Sequence, residues 1–167
     1  VITYLNLYYP FVGHDYSLGI PSMLDSALHF RLNGLAIQWF TPSFGGGIPA
    51  FPNPNNGQFS LVVLLAIFLH PWQAVILSVI IFISTGFITC EYFLRHTLGL
   101  NWTASLLGAA FFSANGFMMQ RIAVGHLGYS TFPLLIIFLI ALLDKSLTLK
   151  TAAAILGVLV GFLLHFA

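Results

Sequence analysis

From Phe59 onward the chain is a series of apolar runs separated by short polar connections. Residues 59–69 form the first run, too short for a perpendicular membrane span. Residues 72–94, after Pro71, are long enough. Residues 102–119 and 127–143 predict two more spans, and 151–167 the start of another. The connections are Arg95 to Asn101, Gln120 to His126 and Asp144 to Lys150.

The first third of the chain reads differently. Residues 1–9 are mixed apolar and aromatic, as at the outer end of a spanning helix. Residues 10–57 hold six of the eight prolines and the run Gly45-Gly46-Gly47. That density prevents a long helix, and such backbone would leave amide groups unpaired in lipid. The stretch is therefore expected in water or at the interface. Within it, Met23, Leu24, Ala27, Leu28, Phe30, Leu35 and Ile37 alternate with Asp25, Ser26, His29, Arg31, Asn33 and Gln38. This pattern predicts an amphipathic helix over 22–38, capped by Ser22 and weakened at Gly34, lying along a membrane surface.

Composition turns these runs into a membrane argument. Five Lys/Arg and four Asp/Glu make up 5% of the chain, hydrophobic residues 59%, and no charged side chain stands between Arg31 and Glu91. Mean hydropathy is +0.96. A water-soluble fold has no means of covering its outside with so few polar groups, so the expected class is an all-α, polytopic integral membrane protein. It has about four to six transmembrane helices over 58–167 and an extracytoplasmic loop over 10–57. A net charge of +1 excludes a nucleic-acid binder driven by phosphate neutralisation. The single cysteine, Cys90, excludes an internal disulfide and reads as a small hydrophobe. No signal peptide is visible, and both ends look cut, as in a fragment whose remaining helices belong to a longer parent chain.

Orientation rests on the Lys/Arg bias of the short loops. With 59–94 as one net crossing and 59–69 as a tilted or re-entrant arm, Arg95, Lys145 and Lys150 share one side, opposite Arg31 and Arg121. Residues 10–57 then lie outside, with the Arg121–His126 turn. With 59–69 and 72–94 as an antiparallel hairpin, the long loop lies in the cytoplasm. The first arrangement is preferred.

The order of features in the loop carries a resemblance. Gly13-His14-Asp15 leads into the amphipathic segment. Asn33-Gly34, Trp39-Phe40-Thr41-Pro42, Gly45-Gly46-Gly47-Ile48-Pro49 and Asn53-Pro54-Asn55-Asn56-Gly57-Gln58-Phe59 follow. This resembles the first extracytoplasmic loop of bacterial membrane glycosyltransferases of the GT-C superfamily, closest to the YfhO-like branch. The later Asn115-Gly116, His126 and Pro133 resemble the same branch, over residues 9–140 in all. One departure is His14, which stands where the acid more often follows the glycine directly. The resemblance implies a multi-pass enzyme of the bacterial inner membrane and cell envelope. Such an enzyme transfers a sugar from a polyprenyl-phosphate-linked donor to an acceptor on the outer face, among membrane lipids. An acid of the first loop then serves as general base or as ligand to a divalent cation, Mg or Mn.

On that footing Asp15 is the first catalytic candidate: a carboxylate takes the proton of the attacking hydroxyl, or holds a metal against the donor phosphate. Its plain alternative is a turn-forming loop aspartate. Asp25 is the second, against a polar-face residue near a helix start. His14 is a candidate for orienting the acid or binding phosphate. Arg31 is a candidate for a lipid head group or the carrier phosphate, against simple snorkelling. Arg121 and His126 share one turn, and if it faces outward they converge with Asp15 to meet the charge that develops on the leaving phosphate. Asn115 is expected to bond to a neighbouring helix, Glu91 to pair with Arg95 at i,i+4, and His70 to sit at the interface. Trp39, Trp72 and Trp102 are expected to mark interface levels. Gly157 to Gly161 is a GxxxG spacing, and Gly45-Gly46-Gly47 reads as a turn. A transporter or flippase for a lipid-linked sugar, and a non-catalytic scaffold subunit, are the alternatives. A transporter needs polar or broken spans at the midplane, whereas here the chemistry clusters in the loop.

Overall fold

The computed structural model describes residues 15–43, 45–51, 53, 57–144 and 147–166, with 162–166 as backbone. The helix end expected at 1–9 lies outside these residues. The described chain is predominantly helical, with one two-residue β pairing.

Helix α1 spans Tyr16–Asn33, starting six residues before the expected Ser22 cap and running through Pro21. Burial of Tyr16 against Trp72, rings edge-on at 5.2 Å, anchors this early start. Gly34, at φ 65° and ψ −156°, ends the helix well short of residue 38. That combination is essentially closed to L side chains. The expected polar face is also redistributed. Ser26 is buried with Met23, Ala27 and Phe30, while Leu24, Leu28 and Leu32 face outward, so α1 is apolar on two sides.

The chain then forms a small hairpin, β1 (Phe40–Thr41) against β2 (Ile48–Pro49). Its turn carries Gly45, Gly46 and Gly47, all at positive φ, as the sequence leads one to expect. The tip of the Phe40 ring sits against Gly47, where an added Cβ would overlap it.

Helix α2 (Leu61–Ala66) is capped by Ser60, whose Oγ accepts from Val63 N at 3.3 Å. It folds back on α3 (Pro71–Tyr92), where Val63 and Ala66 join Trp72, Val75 and the inner face of α1 in one core. His70 caps α3 and Pro71 occupies its first turn, where the missing N–H removes no bond. Helix α3 passes into a π turn at Phe93–Thr97, and Pro71–Thr97 together are long and apolar enough to cross a membrane.

The remaining chain runs along α3 in pieces. The span expected over 102–119 is two helices, α4 (Trp102–Ser113) and α5 (Gly116–Val124). Asn115 makes the joint: its Oδ1 accepts from Met118 N at 2.9 Å and its Nδ2 donates to Phe112 O at 2.6 Å. It therefore bonds locally, not across to a neighbouring helix. A 3-10 helix, Leu127–Leu134, continues into α6 (Leu135–Leu143), and α7 (Leu149–Phe166) packs beside α6. Among the described residues, Leu127–Leu143 and Leu149–Gly161 are further apolar helical stretches of 10–17 residues. Met118 and Ile122 pack on Val79, while Ile136 and Ala109 pack on Cys90 and Phe93. Pro133 sits on Gly86, where an added Cβ would overlap the proline Cβ.

Candidate functional site

The site forms where the start of α1 meets the end of α5, near the N-terminal end of α3. Helix α5 stops at Gly125, φ 94°, in a left-handed turn. Gly125 N donates to Ile122 O at 3.2 Å and His126 N to Arg121 O at 3.0 Å, the paired bonds of a Schellman ending. This turn fixes Arg121 and His126 on one side of the corner. Gly125 also admits α1: a Cβ there would lie 2.7 Å from Tyr16 N and 3.0 Å from its ring. Two further bonds hold the junction, Tyr16 Oη to Ile122 O at 2.6 Å and Asp15 N to Val124 O at 3.4 Å. Burial pushes the Tyr16 phenol up to about 12, so it stays a donor.

Asp15 precedes α1 at the N-cap position, yet its carboxylate caps no amide of the helix. Its Oδ2 pairs with His126 Nε2 at 2.5 Å. On the other edge of the imidazole, Arg121 Nη1 lies 3.0 Å from Nδ1. A guanidinium has only donors, so Nδ1 accepts and the ring proton sits on Nε2, donated to Asp15. An imidazole thus separates a fixed cation from a carboxylate. Both Asp15 and His126 keep partial exposure, at 43% and 30% of the side chain. Arg121 lies in the corner between two aromatic rings, its Cζ 5.2 Å from the Phe117 centroid and 5.1 Å from that of Tyr129. Its Nε is buried with no hydrogen-bond partner among the described residues.

The other candidates lie elsewhere. His14 is outside the described residues. Asp25 is in a separate network: Gln38 Nε2 donates to its Oδ2 at 2.5 Å, and Ser26 Oγ donates to Gln38 Oε1 at 3.0 Å. Gln58 completes this network, accepting from Gln38 N at 2.9 Å and donating to Ala36 O at 2.7 Å. It ties the loop after α1 to the start of α2 and does not reach Asp15's partners. Arg31 closes the end of α2: its Nε donates to Ile67 O at 2.8 Å and its Nη2 to Ala66 O at 3.1 Å. Free carbonyls at a helix end attract such a cation, and that satisfies Arg31 away from the Asp15 group.

Glu91 and Arg95 do pair at i,i+4, at 3.6 Å. His70 is a cap, its Nδ1 accepting from Trp72 N at 3.4 Å. Trp72 is buried at 2% exposure, while Trp39 and Trp102 are exposed. Gly157 and Gly161 have nothing close to them among the described residues.

The divalent cation implied by the resemblance can be tested on the donors present. No three His, Cys, Asp or Glu side chains converge among the described residues. Asp15 and His126 offer two donors, already bonded to each other, with a guanidinium on the far edge that repels a dication.

Sequence reasoning missed Tyr16, Gly125, Phe117 and Tyr129. Gly125 alone carried a local signal, a glycine directly after a periodic apolar stretch. No known family, curated protein or solved structure matches the chain.

Proposed function

We propose that this chain belongs to a multi-pass membrane enzyme of the bacterial inner membrane. It transfers a sugar from a polyprenyl-phosphate-linked donor to an acceptor on the outer face, in the manner of GT-C glycosyltransferases. The observation that carries the reading is the Asp15–His126–Arg121 line, which joins residues 106 or more positions apart. A base and a cation held one imidazole apart suit a reaction that removes a proton at one point and releases a phosphate at another.

In that reaction Asp15 accepts the proton of the acceptor hydroxyl through Oδ1, which no described residue engages, while Oδ2 stays on His126. The hydroxyl oxygen forms a bond to the anomeric carbon, the carbon–oxygen bond to the carrier phosphate breaks, and the electron pair leaves with the phosphate. Arg121 meets that charge.

The multi-pass arrangement is supported by reach. The 3-10 helix and α6 together rise about 29 Å, because a 3-10 residue rises ~2.0 Å and an α residue ~1.5 Å. That matches a hydrocarbon core of ~30 Å. The break at Asn115 and the 3-10 stretch are the irregular segments a transporter requires, so a flippase for the same lipid-linked sugar is the second reading.

The test supplies labelled polyprenyl-phosphate sugars to membranes carrying the protein and compares wild type with Asp15→Asn at matched expression. Loss of transfer with donor still bound supports the enzyme. Transfer unchanged by the substitution removes Asp15 from the chemistry. Movement of donor between leaflets without sugar transfer establishes the flippase.

A further inference from the structure

The sequence placed a cation near the carrier phosphate but said nothing of how the guanidinium is aimed. A free arginine has several rotamers and offers either edge of its fork. Arg121 has its plane set by two rings and one nitrogen. Phe117 and Tyr129 stand edge-on to each other at 82°, centroids 5.6 Å apart, and the guanidinium carbon lies within cation–π range of both. Nη1 is held by His126 Nδ1. That leaves one edge, Nε with Nη2, and no described residue hydrogen-bonds to either nitrogen. It is an edge with two parallel N–H bonds, a geometry that matches two oxygens on one phosphorus. An N–H buried without a partner is costly, and an oxyanion arriving at this edge removes the cost.

We infer that Phe117 and Tyr129 are positioning residues. Together they hold the Arg121 guanidinium so that its Nε/Nη2 edge takes both unesterified oxygens of a phosphodiester. The inference rests on the reading that the donor is a polyprenyl-phosphate sugar, and it adds the group that aims its phosphate. The rings touch no reacting atom. Tyr129 acts through its face, and its hydroxyl has no part.

Both rings are about half exposed, 45% for Phe117 and 47% for Tyr129, which sets each contact at the weaker end of its range. Removing one ring face is expected to weaken phosphate binding roughly two- to fivefold.

The experiment uses the protein in lipid nanodiscs, with three variants: Phe117→Leu, Tyr129→Leu and Tyr129→Phe. Binding of polyprenyl monophosphate, of a polyprenyl-phosphate sugar and of inorganic phosphate is measured for each. The Arg121 Nε–H resonance is followed by 15N NMR, identified by its loss in Arg121→Lys. The inference requires Tyr129→Phe to match wild type. It also requires each Leu variant to raise KM for the donor, with kcat changed less, and to broaden or shift the Nε–H signal. Leu variants that retain both the wild-type KM and the wild-type Nε–H signal overturn the inference, whatever happens to the transfer reaction. Wild type that binds no polyprenyl phosphate overturns the functional reading, and with it the phosphodiester. The NMR comparison then still decides whether the rings hold the arginine. Binding of inorganic phosphate alone, weakened by that factor in the Leu variants, assigns the clamp to a free oxyanion and overturns the lipid-linked donor.

Discussion

Gly125→Ala attacks the junction at its narrowest point. Two costs add. An alanine at φ 94° stands in the left-handed region, at about 1–2 kcal/mol. Its Cβ would also lie 2.7 Å from Tyr16 N, a backbone atom that moves only if the start of α1 moves. Backing α1 away stretches the Tyr16 Oη to Ile122 O bond, worth about 1 kcal/mol, and separates Asp15 from His126. The sum is about 3 kcal/mol. Gly99→Ala isolates the backbone part, since Gly99 has φ 72° and nothing within 4 Å of the added carbon; it should cost about 1 kcal/mol. For a chain of this size these figures mean falls in Tm of about 6–12 °C and about 2–4 °C. The assay is a thiol-reactive fluorophore in detergent, because Cys90 is the only cysteine and is buried at 4% exposure until the bundle opens. Asp15→Asn should also destabilise the Gly125→Ala protein less than it destabilises wild type. Equal falls in Tm for the two glycine variants, or an Asp15→Asn effect that is the same with and without Gly125→Ala, would refute the close-approach argument.

Three more outcomes follow from the packing. Gly86→Ala should cost about 2–3 kcal/mol, because the added carbon overlaps the Pro133 Cβ. Gly108→Ala should cost far less although its contact is 2.5 Å, since the atom met is the swinging end of Leu94; thermal unfolding of the pair checks the order. Tyr16 has its phenol raised from 10.0 to about 12, so its contribution is fully present below pH 10 and is lost as pH rises from 10 to 12. Chemical denaturation across that window should show a decline of up to about 2–3 kcal/mol that is absent in Tyr16→Phe. Arg31→Ala should cost about 1–2 kcal/mol by freeing the carbonyls of Ala66 and Ile67, with KM for a lipid-linked donor unchanged; a raised KM at unchanged stability would return Arg31 to the binding site.

Composition and patterning settled the helical class, a long apolar helix over 72–94 and the turn at the three glycines. Each depends on the chain alone: uninterrupted apolar side chains, or a φ that only glycine adopts. The singling out of Asp15, Arg121 and His126 was also legible, because charged and titratable side chains are so few that each had to be asked for a purpose. Their meeting was expected only on the condition that the Arg121–His126 turn faces outward, and the sequence did not separate Asp25 and Arg31 from the group. Asp25 was the second catalytic candidate and Arg31 a candidate for phosphate or a head group, yet a buried Gln38 claims one and the end of α2 claims the other, both through contacts across turns. Helix limits failed for the same reason. Ser22 is a good local cap, but docking of Tyr16 against Trp72 and Ile122 outweighs it. The run 102–119 carries no charged side chain, but Asn115 recaps the chain and re-aims it as α5. Sequence pattern reports preferences summed over neighbours a few residues away. The site exists because a glycine at 125 lets two backbones approach across more than a hundred residues, and no local preference encodes that approach.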